Sequence, residues 1–119
     1  MTTEYFFDSY AIIEILNGSE NHSKFINAEF IITKLNLFEV YFKLLKLSEE
    51  KAGLFLRRYT PKAVDFDGVV ISEACRLKLE NKKLSMTDCI GYVVSVKAGV
   101  KFLTGDKEFE GVKNVEFVK

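Results

Sequence analysis

Short runs of β-forming residues alternate along this chain with longer runs of helical periodicity, and that alternation leaves few architectures open. The β-rich runs are "YFF" (5–7), "FIIT" (30–33), a weaker "AVDF" (63–66), "VKFLT" (100–104) and "VEFV" (115–118). Between them, helical patterns fall near 9–17, 20–28, 34–47, 49–59, 67–81 and 86–98. Strands joined by helices run parallel through right-handed crossovers, so the pattern predicts a three-layer α/β/α sandwich around a mostly parallel sheet of about five strands. A single proline, Pro61, and the lack of repeats or low-complexity tracts predict one domain spanning residues 1–119. Sheets of this kind bind ligands beyond the carboxyl ends of their strands, which directs attention to the residue after each strand.

Composition removes several functional classes. With 119 residues and 48% hydrophobic content the chain can bury a core without disulfide or metal staples. Lys plus Arg (17) balances Asp plus Glu (17), so no global field favours nucleic acid and any charge-based function must be local. Cys75 and Cys89 have neither redox-pair nor zinc-finger spacing and read as core thiols in a reducing compartment. The opening "MTTEYFFD" lacks a basic region before an apolar run, and no run approaches the roughly 18 apolar residues of a membrane helix. A cytoplasmic protein without a membrane segment is expected. The single histidine, His22, lies in the polar stretch "GSENHSK" and reads as solvated rather than catalytic.

Four acids stand out by position. Asp8 follows the first strand directly, and Asp106 follows the strand ending in Thr104, with Gly105 as the turn residue. Each has an ordinary explanation as a helix cap or turn residue. Asp88 closes a capping-box pattern, Ser85-Met86-Thr87-Asp88, on a helix whose apolar stripe is Met86, Cys89, Ile90, Val93 and Val94. Glu39 sits on a helix apolar nearly all round, within a narrow polar stripe of Asn36, Glu39, Lys43 and Lys46. Pairing with Lys43 at i+4 would account for it, at about 0.2–0.5 kcal/mol of helix stabilisation. If the first, second and fourth strands lie side by side, however, all four acids gather near one edge. Clustered carboxylates repel and are held together mainly by a cation, and oxygen-only ligands suit Mg²⁺ or Mn²⁺ better than zinc.

Together, Phe6-Phe7-Asp8-Ser9, then Thr33 to Glu39, then "LSMTD" ending in Asp88, then "LTGDKEF" with Thr104 and Asp106, resemble the PIN-domain nucleases, especially the small prokaryotic VapC-type toxins. The resemblance spans almost the whole chain and rests on the order and spacing of these motifs. It implies a helix-sandwiched parallel sheet and Mg²⁺- or Mn²⁺-dependent hydrolysis of RNA to 5′-phosphate and 3′-hydroxyl ends. It places the metal ligands at Asp8, Glu39, Asp88 and Asp106, and gives Thr104 the hydroxyl that orients an acid or a water. Where the family often has small alanines after its third acid, this chain has Gly91-Tyr92, which bears on helix packing. A small antitoxin covering the acid edge and a toxin homodimer are the implied partners, with "AGLFLRRY" (52–59) a contact surface or part of the core. Arg57, Arg58, Lys82, Lys83 and Lys107 are the local cations; Lys82, Lys83 and Lys107 are placed near the acid edge, where they could hold phosphates.

Three alternatives stay open on sequence. The chain could be a housekeeping RNA-processing nuclease of the same family, or a noncatalytic domain that binds RNA or protein. "AVDFDGVVI" (63–71) also looks like the D-x-D-G nucleophile motif of haloacid-dehalogenase-type phosphatases, although too few strands follow it for that fold. On the first two readings Asp65 and Asp67 are a strand-end turn and a helix cap.

Overall fold

The computed structural model describes residues 3–119, so Met1 and Thr2 of the expected domain lie outside the described residues. Four short strands, β1 (Tyr5–Phe7), β2 (Phe30–Ile31), β3 (Lys101–Thr104) and β4 (Val115–Phe117), form one sheet in the order β2-β1-β3-β4. Every pairing is parallel, with Tyr5 opposite Phe30 and Lys101, and Leu103 opposite Glu116. Five helices surround it: α1 (Ser9–Leu16), α2 (Lys34–Leu45), α3 (Glu49–Tyr59), α4 (Gly68–Glu80) and α5 (Met86–Ala98).

Period-two alternation divides the core between the two faces of the sheet. Phe6 and Phe102 point to one side and pack with Val70, Ala74, Cys89, Ile90 and Val93 of α4 and α5. Phe7 and Leu103 point to the other and meet Ala11, Ile12, Leu37, Val40 and Phe55 of α1, α2 and α3. Adjacent residues of β1 therefore serve opposite layers, which makes the three-layer sandwich a consequence of strand geometry. Helix α5 lies close against the sheet because Gly91 has no side chain. A Cβ there would come within 2.7 Å of the Phe6 ring and 3.2 Å of the Phe102 ring. The Gly91-Tyr92 departure is thus accommodated: the phenylalanines fill the space, and the Tyr92 hydroxyl donates to the Lys113 carbonyl at 2.7 Å.

Two expected elements differ. Residues 63–66 do not form a strand; Ala63 makes a lone parallel bridge to Ile32, with Val64 N donating to Ile32 O at 2.8 Å. The segment has too little length for a ladder, since a 3₁₀ turn ends at Lys62 and Asp67 already caps α4. The sheet consequently has four strands rather than about five. Residues 20–25 form a 3₁₀ helix and not an α-helix. No helix among the described residues is long and apolar enough to cross a membrane.

Candidate active site

A parallel sheet brings all its strand ends to one edge, and that edge carries the polar residues. Asp8 continues from β1, its N–H still bonded to Leu103 O at 3.2 Å, while its carboxylate caps α1 by accepting from Ala11 N at 2.8 Å. Thr33 follows β2 and precedes α2. Thr104 ends β3, and its hydroxyl accepts from Asp106 N at 3.0 Å; Asp106 in turn accepts from Glu108 N at 3.0 Å. Gly105 is required between them, because a Cβ there would strike the Tyr10 ring and lie 2.6 Å from Val118 O. Asp88 enters from the first turn of α5. Ser85 accepts from Asp88 N at 3.0 Å, so the serine caps the helix and the carboxylate faces the cavity.

Asp8, Glu39, Asp88 and Asp106 all line one open cavity of about 730 Å³, together with a fifth acid, Glu14, and with Ser9, Tyr10, Lys43, Ser85, Lys107 and Lys119. Their electrostatics record the crowding. Burial pushes the Asp8 carboxyl up to about 7, with Asp88 and Asp106 adding repulsion, while hydrogen bonds from Thr104 and Ala11 oppose the rise. Burial likewise pushes Asp88 up to about 6; Asp106 and Glu39 add to this, and the Ser85 hydrogen bond and Lys43 counter it. Asp8 is only 2% exposed, so its charge has little water to rely on. Glu39 does not owe its place to Lys43. Its Oε1 accepts from Ser9 Oγ at 2.7 Å, which turns the side chain toward α1 and the cavity.

Among the described residues, no three His, Cys, Asp or Glu side chains are clasped tightly enough to form a metal cage as they stand. The four expected acids, with Glu14, instead share a roomy cavity. An oxygen-only, acidic donor set of this kind fits a hard divalent ion that keeps several waters and takes one or two carboxylates directly. Two neighbouring acids whose charged forms are disfavoured also fit, because a cation would relieve the repulsion that burial intensifies.

Several expectations are corrected here. His22 is buried, not solvated: its Nδ1 lies 3.1 Å from Ser19 Oγ, and among the described residues Nε2 has no hydrogen-bond partner. Burial lowers its pKa, and the nearby Glu14 carboxylate only partly opposes this. The polar neighbours in "GSENHSK" conceal a ring that packs near Tyr10 and Phe25. Cys75 is exposed, whereas Cys89 is in the core. Lys107 lines the cavity, but Lys82 and Lys83 do not. They sit on an exposed loop held by Lys78 Nζ, which donates to Lys82 O at 2.7 Å and Leu84 O at 2.6 Å. Within "AGLFLRRY", Ala52 and Phe55 are buried while Leu54 and Leu56 are partly exposed. Glu14, Lys119 and Ser9 also line the cavity and were not singled out from the sequence. Ser9 follows Asp8 directly, a usable signal; Lys119 reaches the cavity only through the fold.

The rival D-x-D-G run lies elsewhere. Asp67 caps α4 by accepting from Val70 N at 3.2 Å, and Asp65 borders a small cleft with Lys34, Leu35, Val64 and Phe66. Neither lines the acid cavity.

The family model for the PIN domain matches residues 5–115. Among solved structures, a toxin–antitoxin complex from Klebsiella pneumoniae contains a similar chain, with a TM-score of 0.77, 19% identity, and 95% of this chain and 96% of that chain covered. PAE2754 from Pyrobaculum aerophilum gives 0.70 at 19% identity, with coverage of 98% and 92%. VapBC2 from Rickettsia felis, bound to a DNA fragment from its promoter, gives 0.71 at 15% identity, with coverage of 95% and 96%. At such identities the likeness is one of fold. A search of curated protein sequences finds no match.

Proposed function

The chain belongs to the PIN-domain family, and on that footing we propose that it is a Mg²⁺- or Mn²⁺-dependent endoribonuclease, the toxin of a toxin–antitoxin pair. The observation that carries this reading is the convergence of Asp8, Glu39, Asp88 and Asp106 on one cavity at the carboxyl edge of the sheet. A bound divalent ion would supply Lewis acidity at the phosphate and lower the pKa of a water. The remaining tasks fall to the chain's own residues. The four carboxylates offer the oxygen donors, and Asp8 and Asp88 must be deprotonated to serve. Thr104 stands between two of the acids, its hydroxyl favouring the charged form of Asp8 and accepting the Asp106 N–H. Lys43, Lys107 and Lys119 on the cavity wall suit the phosphates flanking the cut bond, by attraction that salt screens.

The partner reading draws on the fold neighbours from Klebsiella pneumoniae and Rickettsia felis, which were solved as a toxin–antitoxin complex and as VapBC2. Phe38, Phe42 and Leu45 form an exposed apolar row along α2, beside the cavity-lining Glu39 and Lys43. A small antitoxin protein docked on that row would also cover the acid edge. Exposed Ile71 and Met86, which border one small cleft between α4 and α5, offer a second copy of the chain a separate face for a homodimer.

The test is cleavage of total RNA by the purified protein, in Mn²⁺ and in EDTA. Cleavage in Mn²⁺ that EDTA abolishes is the expected result. Equal cleavage in both, or none on any RNA, removes the reading, and the second outcome favours a noncatalytic binding domain.

A further inference from the structure

A buried chain of hydrogen bonds runs from the start of α2 to the Glu39 carboxylate. Asn36 Oδ1 accepts from both Thr33 N, at 3.0 Å, and Thr33 Oγ1, at 3.1 Å. Asn36 Nδ2 then donates to Ser9 Oγ at 3.1 Å, and Ser9 Oγ donates to Glu39 Oε1 at 2.7 Å. Thr33 and Asn36 are essentially inaccessible, and Ser9 is buried beside the cavity. From this geometry we infer that Asn36 is a positioning residue for Glu39, acting through Ser9; the inference rests on the nuclease reading above.

The direction of the bonds carries the argument. Two donors from Thr33 occupy the amide oxygen of Asn36, which leaves the NH₂ group aimed at Ser9. A hydroxyl has one proton, and with an N–H already pointing at its oxygen, Ser9 must turn that proton outward. Glu39 Oε1 is the acceptor it meets. The chain therefore delivers one donor to the carboxylate on its α1 side and pins its rotamer, with the other oxygen left for the cavity. Glu39 comes from α2 and Asp8 from the β1–α1 junction, so this relay also ties together the elements bearing the two acids. Buried networks with every member satisfied hold one geometry, and partners that orient a ligand are worth about ten- to a hundredfold in metal affinity.

A helix-capping role alone makes a different prediction. Asn36→Asp preserves the acceptor for Thr33 N–H and the side-chain shape, so a mere cap would survive it. The new carboxylate cannot donate to Ser9; it would draw the Ser9 proton to itself and leave lone pairs facing Glu39. Its charge, by contrast, should attract a cation. The network and the added charge thus predict opposite signs.

Mn²⁺ affinity is measured by calorimetry at pH 8 for wild type, Ser9→Ala, Asn36→Asp, Asn36→Ala and the Ser9→Ala/Asn36→Asp double variant, each with a melt in EDTA to confirm folding. The expected result is affinity about tenfold or more weaker for each single variant, with the double variant no weaker than the singles. Asn36→Ala and Ser9→Ala carry the test if Asn36→Asp does not fold. Wild-type or tighter affinity in Asn36→Asp, or fully additive losses in the double variant, reduces Asn36 to a cap and leaves the nuclease reading standing. A wild type that binds no Mn²⁺ overturns both.

Discussion

Asp8 and Asp67 stand at equivalent places in the chain's local grammar. Each follows an extended segment, each precedes a helix, and each caps it through Oδ1, to Ala11 N at 2.8 Å and Val70 N at 3.2 Å. Their surroundings differ. Asp8 is 2% exposed at the common edge of the sheet, facing Asp88 and Asp106, whereas Asp67 is exposed beside an incipient strand. Capping explains both equally well and so distinguishes neither. What separates a structural aspartate from a candidate metal ligand is which distant acids the topology brings beside it.

The largest contrast between the two is in activity. Asp8→Asn keeps a competent cap, since Asn and Asp cap alike, and removes one donor charge; RNA cleavage should fall to the level of the EDTA control. Asp67→Asn should cleave RNA as wild type does and melt within about 0.5 kcal/mol of it. Loss of cleavage in Asp67→Asn, with phosphatase activity in the wild type, would reverse the assignment.

Stability against pH should differ next. The Asp8 carboxyl rises from 3.8 to about 7 on folding, so the native state binds its proton more tightly than the unfolded state. Its contribution is fully present below the unfolded pKa and lost as pH rises through about 7. Asp88, raised to about 6, acts in the same direction. The metal-free protein should therefore be more stable near pH 5 than near pH 8, by up to about 2.6 kcal/mol for Asp8 alone, because about two pKa units of the shift lie between pH 5 and 7 at 1.36 kcal/mol per unit. Denaturant unfolding in EDTA across that range measures it, and Asp8→Asn should flatten the profile while Asp67→Asn leaves its slope unchanged.

A smaller effect concerns how the edge is built. Gly105→Ala would force Tyr10 aside and press on the Val118 carbonyl, an overpacking cost of about 1–3 kcal/mol. The same substitution at Gly68, beside Asp67, meets open space, and its cost should be far smaller. Melting of the two variants compares them directly.

Much of this was legible before any coordinates. Phe6 and Phe7, and Phe102 and Leu103, are strand pairs whose neighbours serve opposite layers, and three of the four acids follow from two strand ends and one helix start, while Glu39 stands out as an acid in a narrow polar stripe midway along α2. Residues 63–66 misled because "AVDF" has strand composition, while its pairing depends on how long the chain stays alongside β2, which composition does not encode. His22 misled in the opposite way: polar neighbours suggest solvent, but the fold closes over the ring. Glu39 was assigned a possible partner by helical spacing, Lys43, and found another thirty residues away in Ser9. Local spacing identifies which residues are able to meet; tertiary packing decides which do.

The central claim is that repulsion among converged acids is relieved by a divalent ion, and Asp88 tests it most directly. Thermal melts of wild type, Asp88→Asn and Asp67→Asn are compared in EDTA and in Mn²⁺. Wild type and Asp67→Asn should both gain from Mn²⁺, by about 2.7 kcal/mol at a hundredfold excess over the dissociation constant. Asp88→Asn should lose most of that gain while remaining at least as stable as wild type in EDTA. Equal Mn²⁺-induced shifts in all three proteins, or a clear loss of stability in metal-free Asp88→Asn, would contradict the account and return Asp88 to the role of a helix-start residue.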